Sequence, residues 1–477
     1  MGIEHFAFNR TPTARPDLLM RANAIHGDNA RLHRKLIAGL PVTIAAIGTS
    51  NVVRGGCSDW QHLGRCYRKS SSLSDTGLPR PWLLQAFTAM NRTWPHPGHR
   101  LINHGIYASG PEGPSTCLNQ FVPDDVDAVV IGYGDRCDQR AMVRNSTFGL
   151  ELESLIRQLL LRPDSPSLVL WNFWKYKSFW CRKPGQRVGA QWPCSYHSSC
   201  EIEMNDLAVY YGISVSSFRN AFFSETNDKR VRKKMDAYKL TRYPAQSFTV
   251  DQGGHFDFNL GDQLAAEILF DWIARAAIAH SGPKGWALPQ PTTRLDLVPH
   301  SWYNFKQQME VQQITAVPPS TCYSFEDDFQ GTVAQPVVLP SESHGFEFIR
   351  YEYGQSGEQK LKPGWVANQT GSRLRVTVAD GGSRFVSVGY LRSWTSKARF
   401  MITCVPPCSC TESTMSTTSM NRMTDGVKIT KYSPFFHVNA PSEGTLCNLD
   451  LTVTKPNDQR FKFIALRVSR SAMGSYV

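Results

Sequence analysis

The stretch Pro41–Asn51, PVTIAAIGTSN, decides the fold of this chain. It is a short, β-branched apolar run that stops at Gly48-Thr49-Ser50, as a buried strand that enters a tight turn does. Far along the chain, Asp251–His255, DQGGH, places an acid and a histidine on one short loop ahead of a helix. Because chemistry in α/β folds is placed at strand ends, the serine and the histidine can meet there. These are the residue types of a Ser-His-Asp nucleophilic site.

Strands and helices alternate over residues 41–280. Apolar runs that end in Gly-containing turns predict strands, and apolar residues at helical spacing predict helices. Helices are predicted at 148–159, 204–211 and 264–272, after a helical extension within residues 1–40. This alternation is typical of a parallel sheet with helices on both faces. The predicted strands are Val42–Ile47, Leu101–Asn103, Val126–Ile131, Leu168–Trp171 and Ile213–Ser217.

The pattern changes after residue 280. Residues 281–320 are rich in Pro, Gly and Gln and are interpreted as a linker. Residues 321–477 carry strand signals with Gly-Gly, Asn-Asp and Pro between them, which predicts an all-β domain of the sandwich type. The predicted strands of that domain are Phe346–Tyr351, Leu374–Val378, Phe385–Leu391, Ala398–Cys404, Leu449–Thr454 and Phe461–Val468.

Composition and charge exclude several classes of protein. The 477 residues are 41% hydrophobic and 19% charged, which is typical of a globular chain. No apolar run is long enough to span a bilayer, and no signal peptide is visible at the N-terminus. The net charge of +12 is densest at Lys229–Lys234, interpreted as a solvated loop or as a contact for an anionic glycan or membrane surface. No nucleic-acid-binding motif is present.

Twelve cysteines indicate an oxidising compartment. Cys404, Cys408 and Cys410 lie close together, with Cys447 further on. Disulfides are the favoured interpretation, because no histidine follows at the spacing of a zinc site. Sequons at Asn9, Asn91, Asn145 and Asn368 add weak support for the secretory pathway or an extracellular location.

Each candidate site residue has a structural alternative. Ser50 is the candidate nucleophile, although most serines in Gly-x-Ser turns only cap the next helix. Gly105 could present its N–H to a substrate oxygen, or simply form a turn. His255 is the candidate general base and Asp251 its orienting acid, with Asp257 as a rival.

The first 280 residues resemble the SGNH, or GDSL-type, hydrolases. The resemblance to the branch found in green algae and other microbial eukaryotes extends over nearly the whole chain. It rests on segments such as HGDNARLHRKLIAGLPVTIAAIGTS, WPHPGHRLINHG and LAVYYGISVSS in the first part and KPGWVANQTGSRL, VSVGYLRSW and CVPPCSC in the second. It implies a flavodoxin-like, three-layer α/β/α domain followed by a β-domain, with the family's serine on Ser50, its oxyanion glycine on Gly105 and its histidine on His255.

Two positions depart from the family pattern. The family's third block ends in Asn-Asp, and that asparagine donates to the oxyanion; here the segment 132–138, GYGDRCD, has no asparagine. Arg136, or Asn172 at the end of its strand, could substitute as the donor. The family's acid also lies three residues before its histidine, where this chain has Gln252, and Asp251 is one residue further away.

The resemblance implies a carboxylic-ester hydrolase or acyltransferase that needs no metal or cofactor. An acylated glycan, such as an acetylated polysaccharide, is the substrate class that it suggests. The alternative is a catalytically degraded scaffold that binds carbohydrate or protein, which the missing asparagine favours. A further alternative makes the β-domain the working part, and an exposed row of Trp and Tyr on one sheet face would favour that.

Overall fold

The structure is a computed structural model, and the chain forms two compact units. The first contains Met1–Ser115 and Phe121–Gln308, and the second contains Thr116–Gln120 and Met309–Val477. The residues that the structure describes are 8, 14–54, 81–106, 109–134, 147–173, 177–178, 192–193, 201–227, 249–250, 255–256, 260–280, 321–325, 334–353, 359–378, 381–392, 398–417, 429–433, 435–455 and 461–469.

The first part of the chain alternates strands and helices, as its sequence predicts. Its helices are α1 (Pro16–Ala22), α2 (Ala30–Ile37), α3 (Ser50–Arg54), α4 (Trp82–Thr93), α5 (Glu112–Thr116), α6 (Leu118–Phe121), α7 (Thr147–Leu160), α8 (Glu201–Tyr211), α9 (Phe218–Asn227) and α10 (Leu260–His280). Its strands are β1 (Thr43–Gly48), β2 (Arg100–Gly105), β3 (Ala128–Gly132), β4 (Ser167–Asn172), β5 (Lys177–Ser178), β6 (Trp192–Pro193), β7 (Ser214–Ser217), β8 (Thr249–Val250) and β9 (His255–Phe256).

Five parallel strands form the sheet of this unit, in the order β2-β1-β3-β4-β7. This is the strand order of flavodoxin-like folds, and the expected α/β fold class is confirmed. The chain runs from β1 to one neighbour, β2, and then back to the other neighbour, β3. The carboxyl end of β1 is therefore the topological switch point, where ligands of such sheets bind.

Burial explains why these strands form. Every residue of β1, β3 and β4 is buried, as parallel strands with helices on both faces are. The core beside them includes Ile44, Val130 and Trp171 from strands and Trp82 from α4. Helices α4 and α10 pack against each other.

A buried carboxylate joins α2 to the opposite edge of the sheet. Asp127, just before β3, is fully buried and accepts hydrogen bonds from Arg31 Nε at 2.9 Å and Lys35 Nζ at 2.8 Å. It also accepts one from the N–H of Thr43, the first residue of β1, at 2.8 Å. A buried charge is tolerated only when it is paired in this way. The N-terminal helical extension is therefore part of the α/β unit.

The second part of the chain is all β. Its strands are β10 (Thr321–Ser324), β11 (Val337–Val338), β12 (Glu347–Tyr353), β13 (Gln359–Ala367), β14 (Arg373–Val378), β15 (Arg384–Arg392), β16 (Arg399–Cys404), β17 (Ser409–Cys410), β18 (Ser413–Ser416), β19 (Ile429–Tyr432), β20 (Phe436–Asn439), β21 (Cys447–Lys455) and β22 (Phe461–Ser469). One sheet has the order β12-β13-β22-β15-β20-β17, with β10 on β22 and β19 on β15; the other is β11-β14-β21-β16-β18. A core shared by both sheets, with Val376 of β14 and Phe463 of β22, makes them a sandwich, as expected.

Disulfides cross-link the second unit. Cys404 pairs with Cys410, and Cys408 pairs with Cys447, which confirms disulfides for this cluster; these four sulfurs are not zinc ligands. A third disulfide joins Cys117, in the segment 116–120, to Cys322 of β10. The other six cysteines lie outside the described residues. None of the helices among the described residues is both long and apolar enough to span a membrane.

Candidate active site

Ser50 lies at the switch point of the parallel sheet. It follows β1 after one residue and begins α3, and 9% of it is exposed. The intervening Thr49 donates its N–H to the carbonyl oxygen of Gly132, the last residue of β3, at 3.1 Å. This bond holds the turn between the strand and the helix against the neighbouring strand.

Two glycines permit the close approach of helix α3 to the ends of β1 and β3. Gly48 ends β1 and is the register partner of both Gly105 in β2 and Gly132 in β3, so the three strands end at one level. A Cβ at Gly48 would lie 2.5 Å from the carbonyl oxygen of Gly132. A Cβ at Gly132 would lie 2.4 Å from the Val52 side chain in α3. Both distances are shorter than real carbon contacts, so α3 can sit on these strand ends only above glycines.

Gly105 lies at the predicted place, but its N–H already has a partner. It donates to Oδ1 of Asn103 at 3.0 Å. The other end of the same amide, Asn103 Nδ2, donates to the carbonyl oxygen of Val52 at 3.0 Å. A role for Gly105 as an oxyanion donor therefore requires that the bond to Asn103 opens. Sequence reasoning missed Asn103, although an asparagine within an apolar strand is a signal for such a side-chain bond.

Ser109 and Gly110 are a second feature that sequence reasoning missed. Ser109 Oγ lies 2.9 Å from the carbonyl oxygen of Ile106 and 3.3 Å from that of Gly48, and its one proton can be donated to either. Gly110 is half-buried, a Cβ there would meet no atom within 4 Å, and no described residue accepts a hydrogen bond from its N–H. Ser109 therefore lies beside the end of β1, and Gly110 follows it in the chain. The Ser-Gly-Pro sequence before α5 was the available signal.

The position of His255 follows from its neighbour. Phe256 is fully buried, with ring centroids 4.5 Å from Phe173 and 4.7 Å from Phe218. These contacts fix the short strand β9, and β9 lies beside α3 with Cα atoms within 8 Å. The backbone of His255 is therefore next to the helix that Ser50 begins. Asp251, Asp257 and Arg136 lie outside the described residues.

Trp82 joins the two sides of this region. Its Nε1 donates to the carbonyl oxygen of Asn51, the residue after Ser50, at 2.9 Å. Its ring stacks on Trp171 of β4 at 4.4 Å and meets Phe256 at 6.3 Å. One buried indole thus contacts the Ser50 turn, the sheet and the strand of His255. A rigid aromatic support of this kind is what a positioned catalytic group needs.

Asn172, the last residue of β4, is 1% exposed. Among the residues that the structure describes, neither its Nδ2 nor its Oδ1 has a hydrogen-bond partner. Its Oδ1 lies 2.7 Å from the place that a Cβ of Gly134 would occupy, just after β3. The candidate donor is therefore at the carboxyl edge of the sheet, beside the segment in which an asparagine is missing.

A buried acid lies at the same edge on the next strand. Ser217 of β7 is the register partner of Asn172, and its hydroxyl donates to Glu201 at the start of α8. Burial raises the pKa of the Glu201 carboxyl above its ordinary value, while Arg219, with Nε 3.4 Å away, and the Ser217 bond oppose that rise. Sequence reasoning missed this pair. Among the described residues, no group of three or more His, Cys, Asp or Glu side chains could hold a metal ion.

The chain therefore combines a parallel α/β unit, with a serine at the switch point of its sheet, and a disulfide-linked β-sandwich. No protein-family model and no curated protein sequence matches the chain. Among solved structures, it is similar to a two-domain esterase active on acetylated mannans, co-crystallized with mannopentaose, with a TM-score of 0.52 and 15% identity over 95% of this chain and 98% of that one. A second crystal structure of such an esterase gives a TM-score of 0.50 at 15% identity, over 95% and 99%. At this identity the likeness shows a shared fold over both parts of the chain.

Proposed function

We propose that this protein is a carboxylic-ester hydrolase of the SGNH type, with Ser50 as nucleophile and His255 as general base. One observation carries the proposal. Ser50 begins a helix at the switch point of the sheet, and the short strand that contains His255 lies beside that helix. This is the arrangement in which a nucleophile and its base can meet at strand ends.

The proposed reaction has two steps. Ser50 Oγ attacks the ester carbonyl carbon while its proton passes to the imidazole of His255; the C–O bond then breaks, and the leaving alcohol takes that proton. Water next gives a proton to His255 and attacks the carbonyl carbon of the acyl-serine; the bond to Ser50 Oγ then breaks, Oγ takes that proton from His255, and the acid leaves. A sugar hydroxyl in place of this water would make the reaction an acyl transfer. Asp251 is proposed to orient the imidazole and to stabilise its positive charge.

Backbone donors are proposed to hold the oxyanion. The N–H of Ser50 supplies one, and a glycine at the end of β2 or in the segment after it supplies another. Gly105 can donate only if its bond to Asn103 opens, whereas Gly110 can donate without that change. Arg136, in the segment after β3, and Asn172, at the end of β4, are the two candidate side-chain donors.

An acylated glycan is the proposed substrate class. The support is the fold shared with an esterase active on acetylated mannans, over 95% of this chain. Disulfides in the β-sandwich support a location in the secretory pathway or outside the cell, because they persist in oxidising compartments.

The alternative is a degraded scaffold that binds carbohydrate or protein. The observation in its favour is Gly134, which stands where the family has its oxyanion asparagine. Loss of one oxyanion donor in a serine protease lowers kcat by about 10²–10³. This alternative predicts a Ser50 that is not activated.

Fluorophosphonate labelling of the full chain distinguishes the hydrolase from the binding protein. We expect one adduct, mapped to Ser50, and none in Ser50→Ala. Labelling reports the activation of the serine without knowledge of the substrate. A wild-type protein that forms no adduct, and that hydrolyses 4-nitrophenyl acetate no faster than Ser50→Ala, would leave the binding protein as the better account.

A further inference from the structure

The side-chain amide of Asn172 is buried and unsatisfied. It is 1% exposed, and both Nδ2 and Oδ1 lack a hydrogen-bond partner. Buried polar groups in folded proteins are nearly always paired, because an unpaired one loses its bonds to water without replacement. An amide that is kept in this state needs a reason.

Another buried asparagine of the same unit is satisfied at both ends of its amide. Asn23, also 1% exposed, donates to the carbonyl oxygen of Ile268 at 3.0 Å and to Asp271 at 2.9 Å, and it accepts from Ser216 at 2.6 Å. Its role is structural, since it joins β7 to α10. Asn23 shows that this fold can satisfy both ends of a buried amide, whereas neither end of the Asn172 amide has a partner among the described residues.

The space that Asn172 occupies exists because residue 134 is glycine. A Cβ at position 134 would lie 2.7 Å from Asn172 Oδ1 and 3.1 Å from its Cα. Any other side chain at 134 would displace the amide. Residues 132–138 thus contain no amide side chain, and Asn172 of the neighbouring strand β4 places one in the space left open beside Gly134.

Packing on both sides of Asn172 holds it in place. Trp171 stacks on Trp82 at 4.4 Å, and Phe173 packs edge to face on Phe256 at 4.5 Å. Trp82 also bonds to the carbonyl oxygen of Asn51, and Phe256 is adjacent to His255 in the chain. The residues flanking Asn172 are therefore anchored to the elements that carry the proposed nucleophile and base.

We propose that Asn172 is the side-chain oxyanion donor of this site, with Nδ2 donating to the substrate carbonyl oxygen as negative charge develops on it. The assignment rests on the proposed ester hydrolysis. A donor that is already desolvated and fixed costs no reorganisation when the charge appears, which is how such groups accelerate acyl transfer. The bond to a charged oxygen is also stronger than one to a neutral carbonyl, so the benefit falls on the transition state.

The main test is Asn172→Leu, which keeps the size of the side chain and removes the amide. We expect kcat for 4-nitrophenyl acetate to fall about 10²–10³-fold with KM little changed, as for removal of an oxyanion donor. We also expect the melting temperature to stay the same or rise, because no protein hydrogen bond is lost. Asn23→Leu is the matched control, and its melting temperature should fall because three hydrogen bonds are removed.

A second variant tests the geometry without changing Asn172. Gly134→Ala places a methyl group in the space of the amide, and kcat should fall with it. Unchanged kcat in Asn172→Leu, or a lowered kcat that Gly134→Ala does not reproduce, would overturn the assignment. If wild type still labels at Ser50 in that case, the hydrolase proposal stands without it. A wild type that neither labels nor turns over ester would overturn both.

Discussion

Asn103 Nδ2 donates a hydrogen bond to the carbonyl oxygen of Val52 at 3.0 Å, and so links β2 to the helix that Ser50 begins. Its Oδ1 accepts from the N–H of Gly105 at 3.0 Å. One side chain thus sets the distance between the serine turn and the end of the neighbouring strand. Small displacements of a nucleophile are costly, because attack requires near-contact geometry.

Asn103→Leu should therefore lower kcat/KM by about 10- to 100-fold, since misplacement of about 1 Å costs up to 10². Asn103→Asp keeps the acceptor for Gly105 and loses the donor to Val52, so its rate should lie between those of wild type and Asn103→Leu. The rate of fluorophosphonate labelling should follow the same order. A rate that rises in Asn103→Leu would contradict this and would identify the freed N–H of Gly105 as the oxyanion donor.

Variants of the proposed triad should form a graded series in the same ester assay. Ser50→Ala and His255→Ala should each abolish turnover, because covalent catalysis needs both. Asp251→Ala should leave measurable activity, since its role is to orient the histidine and its spacing from His255 departs from the family pattern. Arg136→Ala slows turnover only if the guanidinium reaches the oxyanion. Full activity in His255→Ala would remove His255 as the base.

The two disulfides of the β-sandwich should differ in their contribution to stability. Cys408–Cys447 spans 39 positions and Cys404–Cys410 spans 6. The chain-entropy estimate is about 4 kcal/mol for the first and about 2 kcal/mol for the second. Calorimetry of Cys408→Ser/Cys447→Ser and Cys404→Ser/Cys410→Ser should therefore show the larger fall in melting temperature for the first pair. Equal falls would argue against the entropic explanation.

The buried Glu201 should make stability depend on pH in a specific direction. Burial raises the pKa of Glu201 in the folded state above its ordinary value of 4.5. At pH values between 4.5 and the folded-state pKa, the folded protein therefore binds more protons than the unfolded chain. The contribution of Glu201 to the free energy of unfolding is fully present below pH 4.5 and is lost as the pH rises through the folded-state pKa. The melting temperature of wild type relative to Glu201→Gln should therefore decrease as pH rises across that window.

Asp17 provides the control for this pH series. A hydrogen bond from Arg15 lowers the pKa of Asp17, so its contribution has the opposite sign and is lost as pH falls. Its side chain is 51% exposed, so the effect in Asp17→Asn should be small. For Glu201, a melting temperature of wild type that rises relative to that of Glu201→Gln as the pH rises would contradict the prediction.

Asn368 should carry an N-linked glycan when the chain is expressed in a eukaryotic secretory host, and Asn91 should not. Asn368 and Thr370 lie in an exposed turn between β13 and β14. Asn91 is half-buried in α4, and its Oδ1 accepts from the N–H of His96 at 3.1 Å. A sequon is modified where its asparagine remains accessible.

Peptide mapping after PNGase F treatment checks this prediction. Thr370→Ala should remove the mass shift at Asn368, and Thr370→Ser should keep it, because serine also completes the sequon. A glycan on Asn91 with none on Asn368 would contradict the assignment.

Local patterns in the sequence were sufficient for most of the fold. The apolar run of β1 is buried at every position because both faces of a parallel sheet are covered, and such runs are visible without a structure. The alternation in β14, with Leu374, Val376 and Val378 buried, was equally visible. Strand β13 was missed because Pro363 and Gly364 interrupt its pattern. Helix α4 was missed as well, although buried Trp82 begins it.

The sequence by itself determined the residue types of the candidate site and the strand ends on which Ser50, Gly105 and Asn172 lie. Only the tertiary structure decided which of their polar atoms are already used. The N–H of Gly105 is bonded to Asn103, the amide of Asn172 is unpaired, and the space beside it depends on Gly134. The physical reason is that the bond from Asn103 to Val52 and the close approach of Asn172 to Gly134 depend on sheet register and side-chain direction, which bring together residues far apart in the chain.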